Sequence, residues 1–103
     1  MFLEFQKMRY KTFFYKGKKE CDFVLYDEGG EKTAIQVCAY FSDADTRKRE
    51  MEGLAEACKN LKINTGHILT LSQEETIAYE GLAVKIEPAF KFLLQNLQYS
   101  ISE

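Results

Sequence analysis

The sequence predicts an α/β domain with a central mixed sheet, its elements running α-β-β-β-α-β-β-β-α over residues 1–103. Three observations carry this reading. Thr33 to Tyr40 form a nearly continuous apolar run of strand length, as expected of a central strand covered on both faces. Met51, Leu54, Ala55, Cys58 and Leu61 recur at steps of three and four, the period of a helix with one buried side. Elsewhere, short β-branched and aromatic runs are separated by glycine-bearing turns.

Residues 1 to 9 place Phe2, Phe5 and Arg9 at helical spacing and predict a short first helix. A helix of about nine residues is marginal alone in water, so it must pack on the sheet or continue an element lying upstream. On that ground the chain is expected to be a piece of a longer protein. Thr12 to Lys16 and Cys21 to Asp27 predict a hairpin closed by Lys16-Gly17-Lys18-Lys19. Asp27-Glu28-Gly29-Gly30 then turns the chain into the central strand.

Ser42 is the expected cap of the next helix, with Asp43 and Asp45 well placed at the positive end of its dipole. Gly66 leads into a buried strand from His67 to Leu71. Joined to the central strand by one helix, it should run parallel to it through a right-handed crossover. Glu75 to Tyr79 and Leu82 to Glu87 predict a second hairpin about Glu80-Gly81, and Pro88 opens a last helix carrying Phe90, Leu93, Leu94 and Leu97.

With 46% hydrophobic and 14% aromatic residues, the chain can bury one modest core and lacks the signature of disorder. A single domain spanning 1–103 is expected. No stretch reaches the ~18 apolar residues of a membrane helix, and the first residues do not read as a secretory signal. A cytoplasmic protein that does not enter membranes is therefore expected. Cys21, Cys38 and Cys58 lack the closely spaced pairing of zinc ligands, so they read as buried thiols rather than a zinc site with His67. His67 itself has no patterned Cys or Ser partner and reads as a structural histidine. Neither a phosphate-binding G-x-x-x-x-G-K-[ST] loop nor a G-x-G-x-x-G turn is present.

The net charge is -2, yet the first twenty residues hold Lys7, Arg9, Lys11, Lys16, Lys18 and Lys19 against only Glu4 and Glu20. Lys16, Lys18 and Lys19 are thus candidates for nucleic-acid contact, since basic side chains gain affinity by releasing counterions from phosphates. The blander explanation is that lysines keep an edge strand and its turn soluble and unpaired.

The stretch Gly17-Lys18-Lys19-Glu20-Cys21-Asp22-Phe23-Val24-Leu25 is followed by Gln36-Val37-Cys38, and then by Thr46-Arg47-Lys48-Arg49-Glu50. This succession resembles the PD-(D/E)XK nuclease pattern. It is similar in particular to the C-terminal domain found behind many archaeal and bacterial AAA-type ATPases, with its Gly-x-Glu-x-Asp-Phe-Val strand, Ile-x-Val-x strand and Thr-Arg-x-x-Glu helix. The resemblance runs from Phe2-Leu3-Glu4 to Leu71 and implies a restriction-endonuclease-like, three-layer α-β-α fold. It also implies that the chain is a C-terminal fragment of such an ATPase or a separated reading frame.

A working site of that kind holds a divalent ion between an aspartate on one strand and an acid on the next. A lysine two residues beyond the second acid helps activate water. By the resemblance, Asp22 is the surviving metal ligand, Glu4 matches a helical carboxylate, and Glu20 is a further candidate. Gln36 and Cys38 stand where the second acid and the lysine belong. A neutral amide binds a hard cation weakly, and a thiol supplies no ammonium; Cys38 reads instead as a small apolar residue in a strand interior. No cofactor is expected beyond weak Mg²⁺ binding at Asp22.

The leading expectation is a non-catalytic binding or assembly domain whose partner is an ATPase domain. One alternative is a metal-dependent DNA nuclease in which Glu20, Asp22 and Gln36 hold the ion and Lys18 or Lys19 replaces the missing lysine. The other is nucleic-acid binding without chemistry, with Tyr10, Phe13, Phe14 and Tyr15 stacking on bases beside the basic segment.

Overall fold

The computed structural model describes residues 11–26 and 29–101, with side chains at 15, 17–19, 21–26 and 29–95. The first helix expected at residues 1–9, and with it Glu4, lies outside the described residues. The remaining elements follow the expected order. They are β1 (Lys11–Lys16), β2 (Glu20–Tyr26), β3 (Lys32–Val37), α1 (Ala44–Leu61), β4 (Thr65–Thr70), β5 (Glu75–Tyr79), β6 (Leu82–Pro88) and α2 (Ala89–Ile101). Two helices, rather than three, are thus present among the described residues.

The strands form one six-stranded mixed sheet in the order β1-β2-β3-β4-β6-β5. β1, β2 and β3 run antiparallel as a meander, β3, β4 and β6 run parallel, and β5 pairs antiparallel with β6 at the far edge. The crossover expected from the central strand to the next is therefore present, with α1 as its connecting helix. Glu80 and Gly81, with φ of 49° and 82°, supply the two left-handed positions of a tight hairpin turn between β5 and β6.

Because alternate strand residues point to opposite faces, the sheet has two apolar sides. One carries Val24, Ala34, Ile68, Val84 and Ile86 beneath Met51, Leu54, Ala57 and Cys58 of α1. The other carries Leu25, Ile35 and Leu69 beneath Phe92 of α2. The result is a helix on each face of the sheet. Each fully buried aliphatic side chain contributes roughly 1.5–3 kcal/mol of transfer free energy, so the larger α1 face dominates the core. Gly66 fixes how closely α1 approaches: a Cβ there would lie 2.6 Å from Leu54 Cδ2, inside any tolerable contact.

Several boundaries differ from the sequence expectation. The central strand ends at Val37 and not Tyr40, so Cys38 lies just beyond it; the next strand stops at Thr70, leaving Leu71 exposed. The cap of α1 is Asp43, not Ser42: Asp43 has extended φ and ψ, and its Oδ2 accepts the Thr46 N–H at 3.1 Å. A carboxylate there satisfies an orphan amide and faces the positive helix end, which a hydroxyl one residue earlier cannot reach. In α2 the buried anchor is Phe92, whereas Phe90 and Leu94 face outward. No helix among the described residues is long and apolar enough to cross a membrane.

Candidate functional site

Of the positions that the nuclease resemblance singles out, Asp22 and Gln36 come together where β2 and β3 separate under the first half of α1, with Cys38 two residues beyond Gln36. The β2–β3 ladder pairs Phe23 with Ile35, so Asp22 and Gln36 stand at the next, diverging step. Gln36 is only 2% exposed, and its side chain turns towards α1. Its Oε1 accepts the Asp22 backbone N–H at 2.7 Å, and its Nε2 donates to the Glu50 carbonyl at 3.2 Å. One primary amide thus ties β2, β3 and α1 together. A carboxylate in its place could accept from Asp22 but could not donate to Glu50.

Asp22 is exposed, and its Oδ2 accepts the Val37 N–H at 2.8 Å, beyond the end of the regular ladder. Glu50 completes the cluster. Burial pushes the Glu50 carboxyl above its ordinary value and the negative charge of Asp22 pushes it further, with Arg49 opposing. Cys38 is half-buried; burial and then Glu50 push its thiol upward, while its Sγ–H reaches the Tyr40 carbonyl at 3.5 Å. It is therefore not an activated nucleophile, which needs a lowered thiol pKa. Among the described residues, no group of three or more His, Cys, Asp or Glu is arranged to hold a metal ion.

The basic turn between β1 and β2 is held from below by α1. The Glu56 carboxylate accepts the backbone N–H groups of Lys18 and Lys19 at 3.1 and 2.7 Å. Gly17 leaves room for this approach: a Cβ there would lie 2.8 Å from the Tyr15 hydroxyl and 3.1 Å from Glu56 Oε2, so those side-chain ends would have to shift. The Lys19 ammonium pairs with Glu52 at 2.8 Å, which holds the lysine above and the glutamate below their ordinary values. Lys18 is exposed. The side chains of Lys16 and Glu20 lie outside those described.

Arg47, in the Thr-Arg-x-x-Glu stretch, fixes the start of α1. Its guanidinium donates to both Glu75 carboxylate oxygens, at 3.1 and 3.3 Å, and to the Phe41 carbonyl at 3.1 Å. It also lies 4.5 Å from the centroid of the Phe41 ring. Gln73 completes the arrangement, accepting the Phe41 N–H at 2.6 Å and donating to the Phe41 carbonyl at 2.7 Å. These contacts make Arg47 a fastening between helix, loop and edge strand.

On the opposite face, His67 Nδ1 lies 3.1 Å from Glu87 Oε2, and Glu87 is 1% exposed. The imidazole is packed at a tilt against Phe92, with ring centroids 5.6 Å apart. This pair belongs to neighbouring strands β4 and β6 and borders a cleft of about 250 Å³. The structural reading of His67 thus acquires a partner twenty residues away. No local spacing points to Glu87, and Glu56 is likewise one more acid on an amphipathic helix until the fold brings the β1–β2 turn onto it. No family model, curated protein or solved structure matches this chain.

Proposed function

We propose that this chain is a non-catalytic binding or assembly module: a degenerate restriction-endonuclease-like domain of the kind that accompanies AAA-type ATPases. The observation that supports it most directly is the double hydrogen bond of Gln36. The residue in the second-acid position is a buried structural amide, joined to the Asp22 backbone on one side and the Glu50 carbonyl on the other. A metal ion bound there would have to displace contacts that hold three elements together. Asp22 is engaged with the Val37 amide, and Cys38, in the lysine position, brings no positive charge to balance a phosphate.

The test is incubation of the purified chain with supercoiled plasmid and Mg²⁺ or Mn²⁺. The expected result is intact plasmid at all metal concentrations. Nicking or linearisation that disappears in the Asp22→Ala variant would overturn the proposal in favour of a metal-dependent nuclease. The reading with a migrated lysine gains no support from Lys19, whose ammonium is paired with Glu52 of α1.

A further inference from the structure

The single histidine of the chain stands on a diagonal across three strands of the sheet. His67 of β4 pairs with Ile35 of β3 on one side and with Lys85 of β6 on the other. Residues two apart on a strand share a face, so Thr33, His67, Lys85 and Glu87 all stand on the α2 side. Glu87 lies diagonally ahead of His67 on β6, and Thr33 lies diagonally behind it on β3. The Glu87 carboxylate is buried and meets Nδ1 at 3.1 Å. A carboxylate accepts there, which places a proton on Nδ1 and fixes the ring. Nε2 then lies on the far side of the ring from Glu87, towards Thr33.

Two recesses meet at this point. The cleft of about 250 Å³ under α2 is walled by Leu25 and Phe92 and edged by Lys85 and Gln95. A second recess of about 590 Å³ shares Thr33 and His67 with it and reaches Lys32 and Lys62. Lys32, Lys62 and Lys85 outnumber Glu31 and Glu87 in the lining of the two, although the whole chain carries a net charge of -2. In the smaller cleft Glu87 is the one acid among the described residues, and it is committed to His67. What the cleft offers a ligand is therefore donors: the Lys85 ammonium, the Gln95 amide, the Thr33 hydroxyl, and an imidazole that donates from Nε2 when doubly protonated. A metal ion would meet one imidazole nitrogen beside a lysine, a poor set for a cation.

We propose that this cleft binds a small oxyanion, the carboxylate or phosphate head of a small molecule, between His67 and Lys85. Glu87 is a positioning residue: it acts on the ring and leaves the ligand to Nε2. The site faces away from α1 and Gln36, so it stands apart from the degenerate nuclease positions and survives if that reading fails.

The single imidazole makes a direct test, because its carbon-bound ring protons give one set of proton–carbon correlation signals in the full chain. Inorganic phosphate and acetate are titrated separately to about 50 mM at pH about 6.5, against sodium chloride of matched ionic strength. The expected result is a saturable shift of the His67 signals with one or both anions, with a Kd of about 1–10 mM, and none with chloride. Phosphate alone or acetate alone identifies the preferred head group. Lys85→Gln, a change at an exposed side chain, should weaken binding about tenfold, the effect of a lost charged hydrogen bond. Lys59→Gln removes the same charge from an exposed position on α1 and should leave binding unchanged. A linear response to both anions, or one no larger than with chloride, would overturn the proposal. Equal effects of the two lysine variants would also overturn it, since a general field and not a site would then be responsible.

Discussion

Asp22 and Gln36 hold one another across the parting of β2 and β3. The Gln36 carbonyl oxygen accepts the Asp22 amide at 2.7 Å, and the Asp22 carboxylate accepts the amide of Val37, the residue after Gln36, at 2.8 Å. The parting of the two strands is thus closed by hydrogen bonds. Gln36→Glu should therefore destabilise the fold rather than restore a metal site. It removes the donor to the Glu50 carbonyl and adds a buried acid near Asp22 and Glu50, a cost of about 2–4 kcal/mol. Urea unfolding monitored by circular dichroism would show the lowered midpoint, and calorimetry should show no new Mg²⁺ binding.

Glu50 gives a pH signature. Its folded-state value is raised, so the folded chain holds this proton more tightly than the unfolded chain. The stability it contributes is present in acid, below the ordinary glutamate value, and is lost as pH rises through the raised value. Glu50→Gln should then be more stable than the parent at neutral pH, by less than about 1 kcal/mol because the side chain is part-exposed and screened. The difference should shrink towards acid. Thermal melts of both proteins between mildly acidic and mildly alkaline buffers would reveal it.

His67→Ala would leave the Glu87 carboxyl buried without its partner, at a cost of about 3 kcal/mol. Glu87→Gln keeps a polar group within reach of the imidazole and should cost about 1 kcal/mol. Comparison of the two denaturation midpoints separates loss of a partner from loss of charge.

The three thiols should differ in reactivity. Burial pushes Cys21 up to about 12 and Cys58 up to about 11, so neither offers thiolate at neutral or mildly alkaline pH. Cys38 is shifted upward as well, but it is the one that is not fully buried. A chromogenic disulfide reagent at pH about 8 should consume one thiol slowly in the native protein and the other two only in denaturant. Cys38→Ala should abolish the native phase.

The parts legible in the sequence were those dictated by local periodicity. The Met51-Leu54-Ala55-Cys58-Leu61 stripe marks the buried side of α1, and Glu80-Gly81 marks its hairpin turn because tight turns favour particular residues. What escaped depends on side chains meeting across the fold. Gln73 is unremarkable beside Ser72 and Glu74, yet it satisfies both backbone groups of Phe41. In the candidate site, Asp22 and Gln36 were singled out by the nuclease resemblance, but their hydrogen bonding to each other's strand is visible only in the fold. Ser42 and Asp43 are equally good caps on paper; the geometry of the entering chain selects Asp43. Phe90 and Phe92 differ by two helical positions, and only the docking angle of α2 decides which is buried.

The β1–β2 turn, finally, comes with an anion of its own. Its two adjacent amides already point at the Glu56 carboxylate, and Lys19 leans on Glu52. A phosphate approaching that turn meets an internal competitor tethered at high effective concentration, so the turn's positive character is largely answered from within. The same tether couples the turn to the helix 37 residues on, so that lifting the turn away must also break contacts on the second turn from the end of α1.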